Sequence, residues 1–197
     1  MKKITIALIM VISLIAPIQT MAESVTQNGT IIEPLEQNIE QIIDEITSEP
    51  RPINSDAIQN VKEYISKYFG NLGYDNIEYQ KFEYNDENNE NAIRHSSQAD
   101  VFLASTAENA IVDGIGENII VTKNSSIDTT KNLIISAHYD SAEDSVGAND
   151  NGSGVAAVLE LARILKDTEI PYNIKFILFS GEEKYMLGSR WYVGKLT

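Results

Sequence analysis

At 197 residues with 43% hydrophobic content, the chain can bury one ordinary core, and its length indicates about one domain. It has no cysteine, which excludes a disulfide framework and cysteine redox chemistry and leaves packing or metal to stabilise the fold. The formal charge of −14 excludes nucleic acid and anionic membrane surfaces as natural partners, because like charges repel.

Lys2 and Lys3 precede an apolar run from Ile4 to Ile15, followed by Pro17 and Thr20-Met21-Ala22. This order of charge, apolar stretch and small residue predicts a secretory signal peptide over residues 1–22, cleaved after Ala22. The run is shorter than the roughly 20 apolar residues a spanning helix needs, so the product is expected to be secreted or extracytoplasmic, with no membrane attachment after signal removal. Residues 23–34 are polar without a sustained period and predict a flexible leader; one domain is expected over residues 35–197.

Leu35, Ile39, Ile42, Ile43 and Ile46 share one helical face, and Pro50 and Pro52 end that segment. A second helix follows, capped by Asn54 or Ser55, with Ile58, Val61, Ile65, Tyr68 and Leu72 as its apolar stripe and Gly73 after its last turn. Residues 76–84 alternate like a strand, with Ile77 and Tyr79 on one face. Residues 85–98 are rich in Asn, Glu and Ser and read as an exposed loop, in which His95 is expected to be solvated.

Strands are expected over Asp100 to Ser105, Asn118 to Thr122, Asn132 to Ala137 and Asn173 to Phe179. The last two are apolar on both faces and read as interior strands covered by helices. Between them, residues 152–166 place Val155, Val158, Leu159, Ala162 and Leu165 on one helical side. Strand, crossover helix and strand make a right-handed βαβ unit with the two strands parallel. Gly114-Ile115-Gly116 leads into a strand instead of a helix, which is the wrong setting for a dinucleotide-binding turn.

Ligands bind beyond the carboxyl ends of strands in such a sheet, and the acidic residues concentrate there. His138 follows the strand Asn132 to Ala137, and Asp140, two residues on, can approach its imidazole. Asp150 stands at the entrance of the crossover helix, where a plain helix cap is also a good reading. Glu182 and Glu183 follow the second parallel strand. Taken alone they are solvated loop acids, but beside the others they form a like-charged group that a divalent cation would relieve.

The segments Ala137-His138-Tyr139-Asp140-Ser141, Gly147-Ala148-Asn149-Asp150-Asn151-Gly152-Ser153-Gly154, Phe179-Ser180-Gly181-Glu182-Glu183 and Gly188-Ser189-Arg190 resemble, in order and spacing, the co-catalytic zinc aminopeptidases of metallopeptidase family 28, the clan MH zinc exopeptidases. The likeness runs from about Leu35 to Thr197. It implies an α/β fold, a phosphorylase/hydrolase-like three-layer α/β/α sandwich with a mixed, centrally parallel sheet. It also implies two zinc ions, with His138 on one, Glu183 on the other and Asp150 bridging. Glu182 would be the general base and Asp140 would orient His138. A cis peptide bond at Asp150-Asn151 is a further expectation of the resemblance. The implied activity is hydrolysis of amino-terminal residues from peptide substrates.

Members of that family carry a further aspartate and a histidine ligand downstream of the Glu-Glu pair, whereas no Asp or His follows Glu183 here. Each metal is therefore expected to lack one protein ligand, and the chain is expected to be the amino-terminal part of such an enzyme, its fold truncated after the Glu-Glu motif. Two rivals stay open: a glutaminyl-cyclase-like single-zinc enzyme, and a catalytically inactive fragment or non-catalytic binding module of the same fold.

Overall fold

The computed structural model describes residues 25–27, 30–32, 34–85 and 113–196. The segment expected to be a signal peptide, His95 and the strand expected over Asp100 to Ser105 lie outside the described residues. Within the stretch expected as a flexible leader, Val25–Gln27 (β1) and Thr30–Ile32 (β2) pair as a separate antiparallel hairpin. Asn28-Gly29 between them is a two-residue hairpin sequence, a local signal that polarity alone does not reveal.

The helices α1 (Glu36–Ile46) and α2 (Asp56–Asn71) form where the apolar period places them. Ser55 caps α2, its Oγ accepting the Ile58 amide at 3.1 Å. Gly73 ends the helix with φ 78°, a left-handed position that a side chain would resist. Ile42 and Ile46 of α1, and Ile58, Val61, Ile65 and Phe69 of α2, are buried in the main core.

Four strands follow: β3 (Ile77–Tyr84), β4 (Gly114–Lys123), β5 (Asn132–His138) and β6 (Asn173–Phe179), in the spatial order β3-β4-β6-β5. The first two pairings are antiparallel, and β5 runs parallel to β6 through the crossover helix α3 (Ser153–Leu165). Both parallel strands were expected to be interior. Strand β6 is, but β5 ends the order and has no outer neighbour among the described residues. An apolar run on two faces reports cover above and below the sheet and says nothing of what lies beside it.

The cover is of three layers. Helices α1, α2 and α3 pack on one face, against Ile119, Val121, Ala137, Ile174, Phe176 and Leu178. Helix α4 (Leu187–Gly194) lies on the other, where Tyr192 meets Ile120 and Ile177, and Trp191 meets Phe82. Helix α3 is docked on α1 by a buried acid: the Glu160 carboxylate accepts the Leu35 amide at 2.8 Å, Asn38 Nδ2 at 2.6 Å and both arms of Arg163 at 2.9 and 2.7 Å. No helix among the described residues is long and apolar enough to cross a membrane.

Candidate metal centre

The parallel register sets the site. His138, the last residue of β5, pairs with Phe179, the last of β6, so the loops after both strands leave the same end of the sheet. Helix α3 starts at that end because the crossover begins there. Tyr139 carries the pairing one residue further, its amide donating to Phe179 O at 2.9 Å, and its buried hydroxyl donates to Glu117 O at 2.7 Å.

The imidazole of His138 is buried and addressed on both nitrogens. Nδ1 lies 3.2 Å from the Asp140 carbonyl oxygen and 3.4 Å from Asp140 Oδ1; Nε2 lies 3.0 Å from Asp150 Oδ1 and 3.8 Å from Glu182 Oε2. Asp140 is 1% exposed, and its two oxygens accept the amides of Glu182 and Glu183, each at 3.1 Å. One carboxylate thus faces the histidine and fixes the start of the acidic loop. The sequence reading foresaw only its first role.

Asp150 sits in the turn that precedes α3, and its side chain is 77% exposed. The bond to Asn151 is cis, as the resemblance implied. The cap at this helix start is made by its neighbour: Asn151 Oδ1 accepts the Gly154 amide at 3.0 Å, which leaves the Asp150 carboxylate to face His138. Glu182 is 40% exposed. The ligand atoms of His138, Glu182 and Glu183 lie within 4.8 Å of one another. All five residues singled out from sequence, His138, Asp140, Asp150, Glu182 and Glu183, therefore meet at one rim.

Charge explains the titration behaviour. Burial works against a charged imidazole, but the hydrogen bond and charge of Asp140, with Glu182 and Asp150, outweigh it and push His138 up to about 9. The ring is then protonated near neutral pH. Glu183 is raised by burial and by Asp150, Glu182 and Asp140, against the opposing pull of His138. Acids that resist ionisation beside one another are what a divalent ion would settle.

The donor set fits zinc. Two ligands of one tetrahedral zinc lie about 3.3 Å apart, from bond lengths near 2.0–2.2 Å. The separation of His138 Nε2 from Asp150 Oδ1, 3.0 Å, lies close to that value. With Nδ1–H given to Asp140, Nε2 is the nitrogen left for a metal. An imidazole with carboxylates is zinc chemistry rather than that of calcium or magnesium, which prefer all-oxygen sets.

Two supporting residues had no signal in the sequence. Asn118 of β4 is fully buried; its Oδ1 accepts the Ser180 amide at 3.1 Å and its Nδ2 donates to Gly188 O at 2.9 Å, joining the acidic loop to α4. Arg51, read only as part of a proline-rich break, is 0% exposed and reaches both ends of the loop that follows His138.

Known proteins resemble this chain in sequence and in fold. Residues 118–196 match the family model of Peptidase family M28. Aminopeptidase YwaD of Bacillus subtilis (strain 168) is 43% identical over 89 residues, which is 45% of this chain and 20% of that protein, so the matched part spans about a fifth of that relative's length. A zinc aminopeptidase structure from Bacillus subtilis superposes with a TM-score of 0.67 at 18% identity, covering 85% of this chain and 67% of the other. A glutaminyl cyclase from Porphyromonas gingivalis superposes at 0.60 and 18%, covering 81% and 52%. At such identities the two structural matches establish likeness of fold.

Proposed function

We propose, for a chain whose residues 118–196 belong to peptidase family M28, a role as the site-bearing part of a secreted zinc aminopeptidase that removes amino-terminal residues from peptides. The observation that supports it most is the convergence of the His138 Nε2 atom with Asp150 and Glu182, backed by Glu183, at the carboxyl end of two parallel strands. In this reading residues 1–22 are the signal peptide and residues 35–197 an incomplete zinc exopeptidase domain. His138 would hold one ion and Glu183 a second, with Asp150 shared between them.

Zinc bound there supplies a Lewis acid for the peptide carbonyl and lowers the pKa of water toward neutrality. Glu182, partly exposed and beside the imidazole, would take the proton of the attacking water and return it to the leaving amine. Asp140 would keep His138 in the tautomer that presents Nε2 and would hold the backbone of Glu182 in place through its amide. The acidic rim favours a substrate bearing a positive charge, as the free amino terminus of a peptide does.

The test is metal analysis of the purified chain, followed by assay of aminoacyl-anilide hydrolysis and of amino-terminal glutamine cyclisation. Zinc uptake that His138→Ala abolishes, with anilide hydrolysis lost by about 10²–10⁴-fold in Glu182→Gln while zinc remains, is the expected result. Cyclisation without hydrolysis would move the reading to the single-zinc cyclases. Failure to take up zinc would overturn it and leave a non-catalytic module.

A further inference from the structure

We propose that Arg51 is a positioning residue that ties together the two ends of the β5–α3 loop, one carrying Asp140 and the other leading into Asp150, and so sets the spacing of the metal donors; the metal part of this inference rests on the function proposed above. Arg51 lies between Pro50 and Pro52 in the connection from α1 to α2, a place where a charged side chain would ordinarily point into water. Instead its side chain is fully buried. Nε donates to Tyr139 O at 2.8 Å, Nη1 donates to Val146 O, and Nη2 donates to Gly147 O at 3.1 Å. The Arg51 amide donates to Ser141 Oγ at 2.9 Å, and its carbonyl accepts the Ser141 amide at 3.2 Å.

These partners fall in two groups. Tyr139 and Ser141 flank Asp140; Val146 and Gly147 lead into the turn of Asp150. The two ends of the loop touch at this point: a Cβ added at Gly147, whose φ is 56°, would meet Asp150 O at 2.5 Å and the Ser141 Cβ at 2.7 Å. The guanidinium sits where they meet and donates to three carbonyls, of which Gly147 O also accepts the Gly152 amide. A planar fork reaches three acceptors in fixed directions, which a lysine ammonium cannot do.

The electrostatics fit the same role. Burial depresses the guanidinium, and Asp140 and Glu183 offset part of that effect. If Arg51 served only to fill the core between helices, an apolar residue of similar volume would do as well or better. What an apolar residue could not supply is a rigid link between the acid that orients His138 and the acid that faces it.

The experiment compares zinc affinity, by chelator competition, and amide hydrogen exchange in wild type, Arg51→Met, Arg51→Lys and the core control Ile65→Val, which alters a fully buried residue of α2. Loss of a supporting partner of this kind weakens metal binding by about 10–100-fold, and that loss is expected for Arg51→Met but not for Ile65→Val. Exchange at the Ser141 and Gly152 amides, bonded to Arg51 O and Gly147 O, is expected to speed up well beyond that at Ile120 and Ile177 of the sheet.

Arg51→Lys keeps the charge and loses the fork, so it is expected to share the defect, and it serves in place of the methionine variant should that fail to fold. Wild-type behaviour of the lysine variant would overturn the link in favour of charge alone. Uniform acceleration of exchange with unchanged zinc affinity would make Arg51 an ordinary core residue. Should the wild type take up no zinc, the metal reading fails, while the pattern of exchange still decides whether Arg51 joins the two ends of the loop.

Discussion

Glu160 and Asp140 are both carboxylates shut away from solvent, at 2% and 1% exposure, yet their surroundings differ in kind. Glu160 is met by a backbone amide, the Asn38 amide group and both arms of Arg163, so donors match acceptors and its pKa is lowered: burial opposes ionisation but the bonds prevail. Asp140 is met by two backbone amides and lies beside Asp150, Glu182 and Glu183; there acids outnumber donors and Glu183 is raised. A buried acid is therefore no sign of a ligand site by itself. A local shortage of positive charge is the sign, and it separates a structural pin from a metal centre.

The largest test of that contrast pairs one variant from each place. Asp140→Asn keeps the shape but removes charge and one acceptor from the loop of Glu182 and Glu183, and is expected to weaken zinc binding about 10–100-fold by chelator competition. Glu160→Ala strips the partner from Arg163, whose side chain is 27% exposed, and is expected to cost about 2–3 kcal/mol in urea unfolding while leaving zinc affinity unchanged. The same loss of zinc affinity in both would erase the distinction.

How far sequence alone reached follows the same division. Local signals carried α1, α2 and α3, a cap at Asn54 or Ser55, the parallel pair around α3 and the five residues at the rim, because each is written within a few positions of itself, whereas α4 was not foreseen. Arg51 and Asn118 were missed because their partners lie about 90 and 60 positions away, as with Arg51 to Tyr139 and Asn118 to Ser180. Nothing in Pro50-Arg51-Pro52 distinguishes a solvated arginine from a buried one. The place of β5 at the end of the strand order was equally invisible, since apolar alternation reports faces and never lateral neighbours.

The two places also part company with pH. His138 rises from 6.5 to about 9 in the folded chain, so its contribution to stability is complete below pH 6.5 and is lost as pH rises through about 9. Metal-free protein is therefore expected to melt at lower temperature at pH 9 than at pH 6.5, by scanning calorimetry. Zinc affinity should run the other way, strengthening over that window as the imidazole gives up its competing proton. Glu160 acts at the acid end: its depressed pKa gives stability above the ordinary carboxylate range that is lost as pH falls through the folded value. A melting temperature flat from pH 6.5 to 9 would show that the imidazole is not held protonated by its acids.

The smallest expected effect probes how redundant the structural pin is. Asn38 gives its amide to Glu160 at 2.6 Å and to the Tyr68 hydroxyl at 2.8 Å, and it is only partly buried. Asn38→Ala removes one donor while Arg163 and the Leu35 amide still hold both carboxylate oxygens, so no buried charge is left alone. The cost is then that of two hydrogen bonds, one to Glu160 and one to Tyr68, about 1–2 kcal/mol, read as a shift in the urea midpoint with unchanged slope. A loss as large as that of Glu160→Ala would mean that the acid depends on every one of its donors. The pin would then be as finely balanced as the rim around His138, and the contrast between the two places would rest on charge alone.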